Sequence, residues 1–251
     1  MGDGRLTVMM RSLVKSLVAA SMAMLADLLL PVRCAGCEEH GNTLCPGCAA
    51  TLDGPFEVHR PATAAGPPIY ALAAYQTTPR TLVLAYKERG RRDLASPLGQ
   101  ILARVLPWLP GARPAQDGTW WLVPAPSKAV AASRRGGSHM LRLARACAAE
   151  LSRDGPAVAV APALRMRASA GDSVGLDGPR RAANLAGRVW PYSAAVPPMG
   201  TPVVLLDDVV TSGATAAACV CALAAVGVEV TAVLTLTATA VGTRRRAESL
   251  P

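Results

Sequence analysis

The residues best suited to chemistry run from Val203 to Thr215. Four apolar residues (Val203–Leu206) are followed by Asp207-Asp208, then Val209-Val210, then the turn Thr211-Ser212-Gly213-Ala214-Thr215. The apolar run predicts a fully buried parallel strand. The turn offers backbone N–H groups and three hydroxyls at the head of an Ala-rich helix expected over Ala214–Ala225. A helix N-terminus behind a loop of small residues attracts an anion. Two carboxylates at the strand end accept hydrogen bonds from the vicinal hydroxyls of a ribose, while the loop receives its 5′-phosphate. The plainer reading is a capped helix start with Thr211 or Ser212 as N-cap. The β-branched run Glu229–Thr237 supplies a following strand, so residues 202–237 read as a β-α-β unit.

A second constellation is metal-like. Cys34 and Cys37, then Cys45 and Cys48, form two Cys-x2-Cys pairs seven residues apart. Such pairs in a cytosolic type of chain point to a tetrahedral four-thiolate zinc site rather than to disulfides. Four thiolates leave no open position, so the zinc is structural. A redox pair, or His40 in place of one cysteine, is the alternative. Cys147, Cys219 and Cys221 stand alone in helical stretches and read as small buried hydrophobes.

Three further segments carry charge. Pro124-Ala125-Pro126-Ser127-Lys128 could turn amides and the Ser127 hydroxyl toward a pyrophosphate, with Lys128 as counter-charge; a proline-rich strand exit is the competing reading. Lys87-Glu88-Arg89-Gly90-Arg91-Arg92 is a dense basic turn, either a solvated face or a partner for phosphates. Arg134-Arg135-Gly136-Gly137 is a cationic loop or an ordinary linker.

These residues need elements to hold them. Strands are expected over Ile69–Gln76 and Trp120–Val123, and helices over Arg80–Lys87, Asp93–Leu106 and Arg134–Leu151. The alternation from residue 69 onward predicts an α/β domain with a mostly parallel sheet flanked by helices. Ligands of such sheets bind beyond the strand C-terminal ends, which brings the 124–128 and 207–215 loops to one crevice.

The chain of 251 residues suits one domain plus an appendage. Its net charge of +9, carried by 23 Arg and 3 Lys, fits an acidic ligand, either a polyphosphate sugar or nucleic acid. Arg bias with heavy Ala and Gly usage also follows from GC-rich coding, so it is not a functional signal by itself. Nine aromatic residues are too few for a long base-stacking platform. Arg5, Arg11 and Lys15 flank an apolar run within Leu6–Leu30, but Asp27 interrupts it and no small-residue cleavage site follows. Leu13, Leu17, Ala20, Met24 and Leu28 fall at the spacing of an amphipathic helix. No run of about 20 apolar residues predicts a membrane span, and the expected location is cytoplasmic.

The Val203–Thr215 string resembles the PRPP-binding motif of type I phosphoribosyltransferases at every position. With its companions it resembles the ComF family of bacterial proteins, the competence or amidophosphoribosyltransferase-like family, over about residues 24–237. The residues that carry this are Leu28–Pro31, the four cysteines, Tyr86-Lys87-x-Arg89-Gly90 and Val123–Ser127. Arg135-Gly136, Arg165/Arg167, Leu176…Arg181-x2-Asn184 and the motif itself complete the order.

The resemblance implies a helix region over 1–30, a zinc ribbon over 31–60 and a type I phosphoribosyltransferase-like domain over 69–242. It implies Asp207 and Asp208 for contacts to the ribose and to the shell of Mg²⁺. It also implies Thr211, Ser212, Gly213, Ala214 and Thr215 for the 5′-phosphate, and Lys87, Ser127, Lys128 and Arg135 facing pyrophosphate. Phosphoribosyl transfer to an unidentified acceptor, linked to DNA uptake, is the implied activity; a non-catalytic protein that handles single-stranded DNA or senses PRPP is the alternative. The chain departs from the family at Gly137-Ser138-His139, where Phe-Asn-Gln is usual, and at Ser173, where Gln is usual. Thr211 stands where purine-salvage enzymes of this fold often carry an acid, which disfavours a purine acceptor.

Overall fold

The computed structural model describes residues 32–52, 54–127, 137–153, 155–167 and 188–239. The expected helix within Leu6–Leu30, Lys128, Arg135, Ser173 and the Leu176…Asn184 stretch lie outside them.

Six strands form one mostly parallel sheet: β1 (Phe56–Glu57), β2 (Ile69–Ala74), β3 (Trp120–Pro124), β4 (Val158–Val160), β7 (Pro202–Val210) and β8 (Glu229–Ala238). Their order is β1-β2-β8-β7-β3-β4, and only the β1–β2 pair is antiparallel. Two further strands, β5 (Leu164–Met166) and β6 (Val189–Pro191), make a separate antiparallel pair. The helices are α1 (Pro46–Ala49), α2 (Thr77–Lys87), α3 (Ala95–Val105), α4 (His139–Leu151) and α5 (Ala214–Ala224).

The central strand shows why the sheet has two covered faces. Val203, Val204, Leu205 and Leu206 are all fully buried, so neither side of this part of β7 meets water. Successive side chains alternate between the two faces. Val204 and Leu206 join Leu82 of α2, Leu98 and Leu102 of α3, and Leu143 of α4 in one core. Val203 and Leu205 join Cys219 and Leu223 of α5 with Leu164 and Val189 of the small pair in the other. Burying each such leucine contributes about 1.5–3 kcal/mol. Gly99 lets α3 close onto α4, since a Cβ there would lie 2.7 Å from the Cys147 backbone nitrogen.

Several boundaries differ from expectation. Strand β7 runs on through Asp207 and Asp208 to Val210, because Val209 and Val210 stay paired with Thr237 and Ala238. Helix α2 starts at Thr77 rather than Arg80, with Pro79 in the first turn, where its missing N–H costs nothing. The Asp93–Leu106 helix is split: a 3₁₀ turn covers Arg92–Leu94 before α3 begins. Helix α4 starts at His139 and not Arg134, since Gly137 has φ +118° and Ser138 is the N-cap, accepting from the Leu141 N–H at 3.2 Å. Of the isolated cysteines, Cys147 and Cys219 are buried as expected, but Cys221 is exposed.

Candidate functional site

Strands β3 and β7 lie side by side at the middle of the sheet, and their C-terminal ends run into Ala125–Ser127 and Thr211–Gly213. A cavity of about 460 Å³ opens there, lined by Lys87, Glu88, Ser127, His139, Asp207, Asp208, Thr211 and Thr215, with Met140 and Met166 as apolar wall. Its volume is within the range of small-molecule sites. The structure thus brings Lys87, Ser127, both aspartates and two residues of the 211–215 turn around one space. Ser212, Gly213 and Ala214 complete that turn and are not among the residues that line the cavity. Lys128 and Arg135 are outside the described residues.

The strand alternation separates the two aspartates. Asp208 points to the face covered by α2 and α4 and is 4% exposed. Lys87 Nζ, at the C-terminal end of α2, reaches its Oδ2 at 2.8 Å and Oδ1 at 3.1 Å. His139 Nε2, at the first turn of α4, is 2.7 Å from Oδ2. Burial alone would raise the Asp208 pKa, but the His139 hydrogen bond and the Lys87 charge outweigh it and hold it at about 2. Asp208 in turn keeps the Lys87 pKa above the ordinary lysine value, against the burial that works to lower it.

Asp207 has the opposite surroundings. Burial and the neighbouring Asp208 charge push its carboxyl up to about 7. Its Oδ1 accepts from the Asp208 N–H at 2.9 Å. Two consecutive carboxyls lining one cavity therefore differ: the surroundings of Asp208 favour its charged form and those of Asp207 oppose it.

His139 is tied on every side. With its proton on Nε2 toward Asp208, Nδ1 is the acceptor facing the Ser127 hydroxyl at 3.4 Å. Its backbone carbonyl accepts from the Tyr86 hydroxyl at 2.6 Å, and the two rings meet edge to face at 5.9 Å. Burial raises the Tyr86 pKa to about 12, so it remains a donor. The sequence placed His139 within the expected Arg134–Leu151 helix and as a departure from the family pattern, not as a site residue. An N-cap serine directly before it was the available signal that it heads a helix.

The 211–215 turn is built for close approach. Gly213 sits at φ +80° as N-cap of α5, and its carbonyl accepts from the Ala217 N–H at 2.9 Å. The Ser212 hydroxyl accepts from the Ala214 N–H at 3.4 Å.

Away from this cavity the four cysteines gather. Their sulfurs lie within 4.8 Å of one another, with Cys37 and Cys45 at 3.6 Å. Zinc–thiolate bonds in a tetrahedron separate sulfurs by about 3.8 Å. The Cys45 N–H donates to the Cys34 sulfur at 3.3 Å and the Cys48 N–H to the Cys45 sulfur at 3.4 Å, which favours thiolates. Burial opposes ionisation of Cys34, but N–H donors bring its pKa down to about 6, whereas burial and the adjacent sulfurs push Cys48 up. A cation relieves this crowding of charge, so the donor set fits a metal ion such as zinc. His40 is instead in an isolated bridge with Arg33.

No protein-family model matches the chain, and no curated protein is significantly similar to it. No helix among the described residues is long and apolar enough to cross a membrane.

Proposed function

We propose that the cavity at the ends of β3 and β7 binds PRPP or a related phosphoribosyl compound, in a type I phosphoribosyltransferase-like domain of the ComF kind. The observation that carries this is one cavity lined by Asp207, Asp208, Thr211 and Thr215 at the strand-to-helix junction together with Lys87 and Ser127. The turn amides and the α5 N-terminus suit the 5′-phosphate. Asp207 suits the ribose hydroxyls, and Lys87 with Ser127 suits the pyrophosphate.

Transfer would form a bond from the acceptor to C1 of the ribose and break the C1–O bond, so that pyrophosphate leaves with the electron pair and the acceptor loses a proton. Positive charge develops on the ribose, so the chain contributes positioning and electrostatics. Mg²⁺ bound with the pyrophosphate would neutralise its charge. The cysteine cluster would hold a structural zinc, and the protein would act in the cytoplasm.

A thermal-shift panel of PRPP, ribose 5-phosphate and pyrophosphate with Mg²⁺ tests the reading. PRPP should raise the midpoint as its concentration passes the dissociation constant. No shift at millimolar PRPP would overturn it, and pyrophosphate release that disappears in Asp208→Ala would establish turnover.

A single-strand-binding protein is the second reading, favoured by the outer face of β5–β6. There the Arg165 guanidinium lies 4.2 Å from the Tyr192 ring and Arg167 lies 5.6 Å from the Trp190 ring. Both rings are exposed, at 42% and 38%, and exposed rings beside arginines can stack bases and meet phosphates. Salt-dependent binding of single-stranded DNA that is lost in Arg165→Glu/Arg167→Glu and kept in Asp208→Ala would favour it.

A further inference from the structure

The arch that joins the cysteine cluster to β2 buries a cation. Arg60 is 5% exposed, and its guanidinium sits across the C-terminal ends of two central strands. Nε donates to the Thr211 carbonyl, Nη2 to the Thr239 carbonyl at 2.5 Å, and Nη1 to the His59 carbonyl at 3.0 Å. Thr239 is itself tied to β7, its N–H donating to Val210 at 3.0 Å. The Arg60 stem also backs the turn, since a Cβ on Gly213 would lie 3.0 Å from Arg60 Cβ and 3.2 Å from Thr63 Cγ2. Arg60 lines a separate cleft with residues 57–69, whereas Thr211 and Thr215 line the candidate site, so it stands behind the turn and not in front of it.

This geometry has a directional consequence. In a planar trans peptide the C=O and the N–H of the next residue point opposite ways. Pinning the Thr211 carbonyl toward Arg60 therefore aims the Ser212 N–H away from Arg60, to the other side of the turn. A charged donor on the carbonyl also polarises that peptide unit and strengthens its N–H as a donor. We propose that Arg60 is the positioning residue of the phosphate subsite, fixing the Ser212 amide for the 5′-phosphate without touching the ligand. The proposal rests on the phosphoribosyl reading and adds to it a residue outside the binding motif.

Calorimetric titration of the full chain with ribose 5-phosphate and, separately, with pyrophosphate and Mg²⁺ tests it. In Arg60→Met, which keeps an apolar stem, ribose 5-phosphate affinity should fall about tenfold or more, while pyrophosphate affinity stays within about twofold. A merely structural role would weaken both ligands together, and that result overturns the proposal. So does ribose 5-phosphate binding at the wild-type level. Wild-type protein that binds neither ligand overturns the phosphoribosyl reading and the proposal with it. Wild-type protein that binds both, beside an unaffected variant, overturns the role of Arg60 alone. Should Arg60→Met not fold, Arg60→Gln is judged by the same two ligands and the same criteria.

Discussion

At the scale of single residues, the strand geometry of β7 assigns different work to two neighbouring carboxyls. Asp208 is bound by Lys87 and His139, and its depressed pKa contributes stability that is full above about pH 4 and lost as pH falls through about 2. Asp207, raised to about 7, does the reverse: its contribution is full below about pH 4 and lost as pH rises through about 7. Between pH 5 and 8 only Asp207 of the pair acts, so wild-type unfolding free energy should fall relative to Asp207→Asn across that interval. Urea unfolding of both proteins at pH 5 and pH 8 measures this, and the comparison cancels other groups titrating there. An equal change in the two proteins would sink the assignment. The aspartates were legible from composition and spacing, because a strand followed by a small-residue turn is a local pattern. Arg60 was not legible, since its partners are 151 and 179 residues away. His139 was half legible: its position drew notice, but its bond to Asp208 depends on how α4 packs.

At the scale of elements, helix α2 is held at both ends by the cysteine unit. A Cβ on Gly36 would lie 2.7 Å from the Cys48 sulfur and 3.0 Å from Thr78, in the first turn of α2. Just beyond its last turn, Arg91 donates to the Arg33 carbonyl at 2.9 Å and to Asp93 at 2.8 Å. The same helix ends in Lys87. Chelation of a bound metal should therefore expose residues 32–52 to protease and also speed amide exchange over 77–92. Faster cleavage without faster exchange in α2 would show that the two units are uncoupled. Sequence pattern found the long elements and missed β4, β5 and β6, because three residues are too few to show an alternation. It found both the cysteine pairs and the helix over Arg80–Lys87 but not that one braces the other, because packing of a knuckle on a helix leaves no periodic mark.

At the scale of the whole molecule, the middle of the sheet is joined by strands far apart in the chain. Tyr70 of β2 pairs with Leu234 of β8, and β8 separates β2 from β7. Deleting residues 228–251 should therefore abolish the cooperative thermal transition rather than lower its midpoint. Near-UV circular dichroism during a melt reads this, and a surviving sigmoidal transition would show that β2 can find another partner. The α/β class was legible from the alternation of elements, whereas the order of strands was not, because parallel pairing is chosen by packing across long separations. That ordering also sets a timetable. Loop closure must be completed before the non-local pairs return any energy, so folding is slower than in a helical chain of local contacts. During synthesis, Arg60 and β2 emerge early and wait for Thr211, Thr239 and β8. The candidate phosphate turn has no floor until β8 and Thr239 have left the ribosome, so a chain terminated before them has no partial site to occupy.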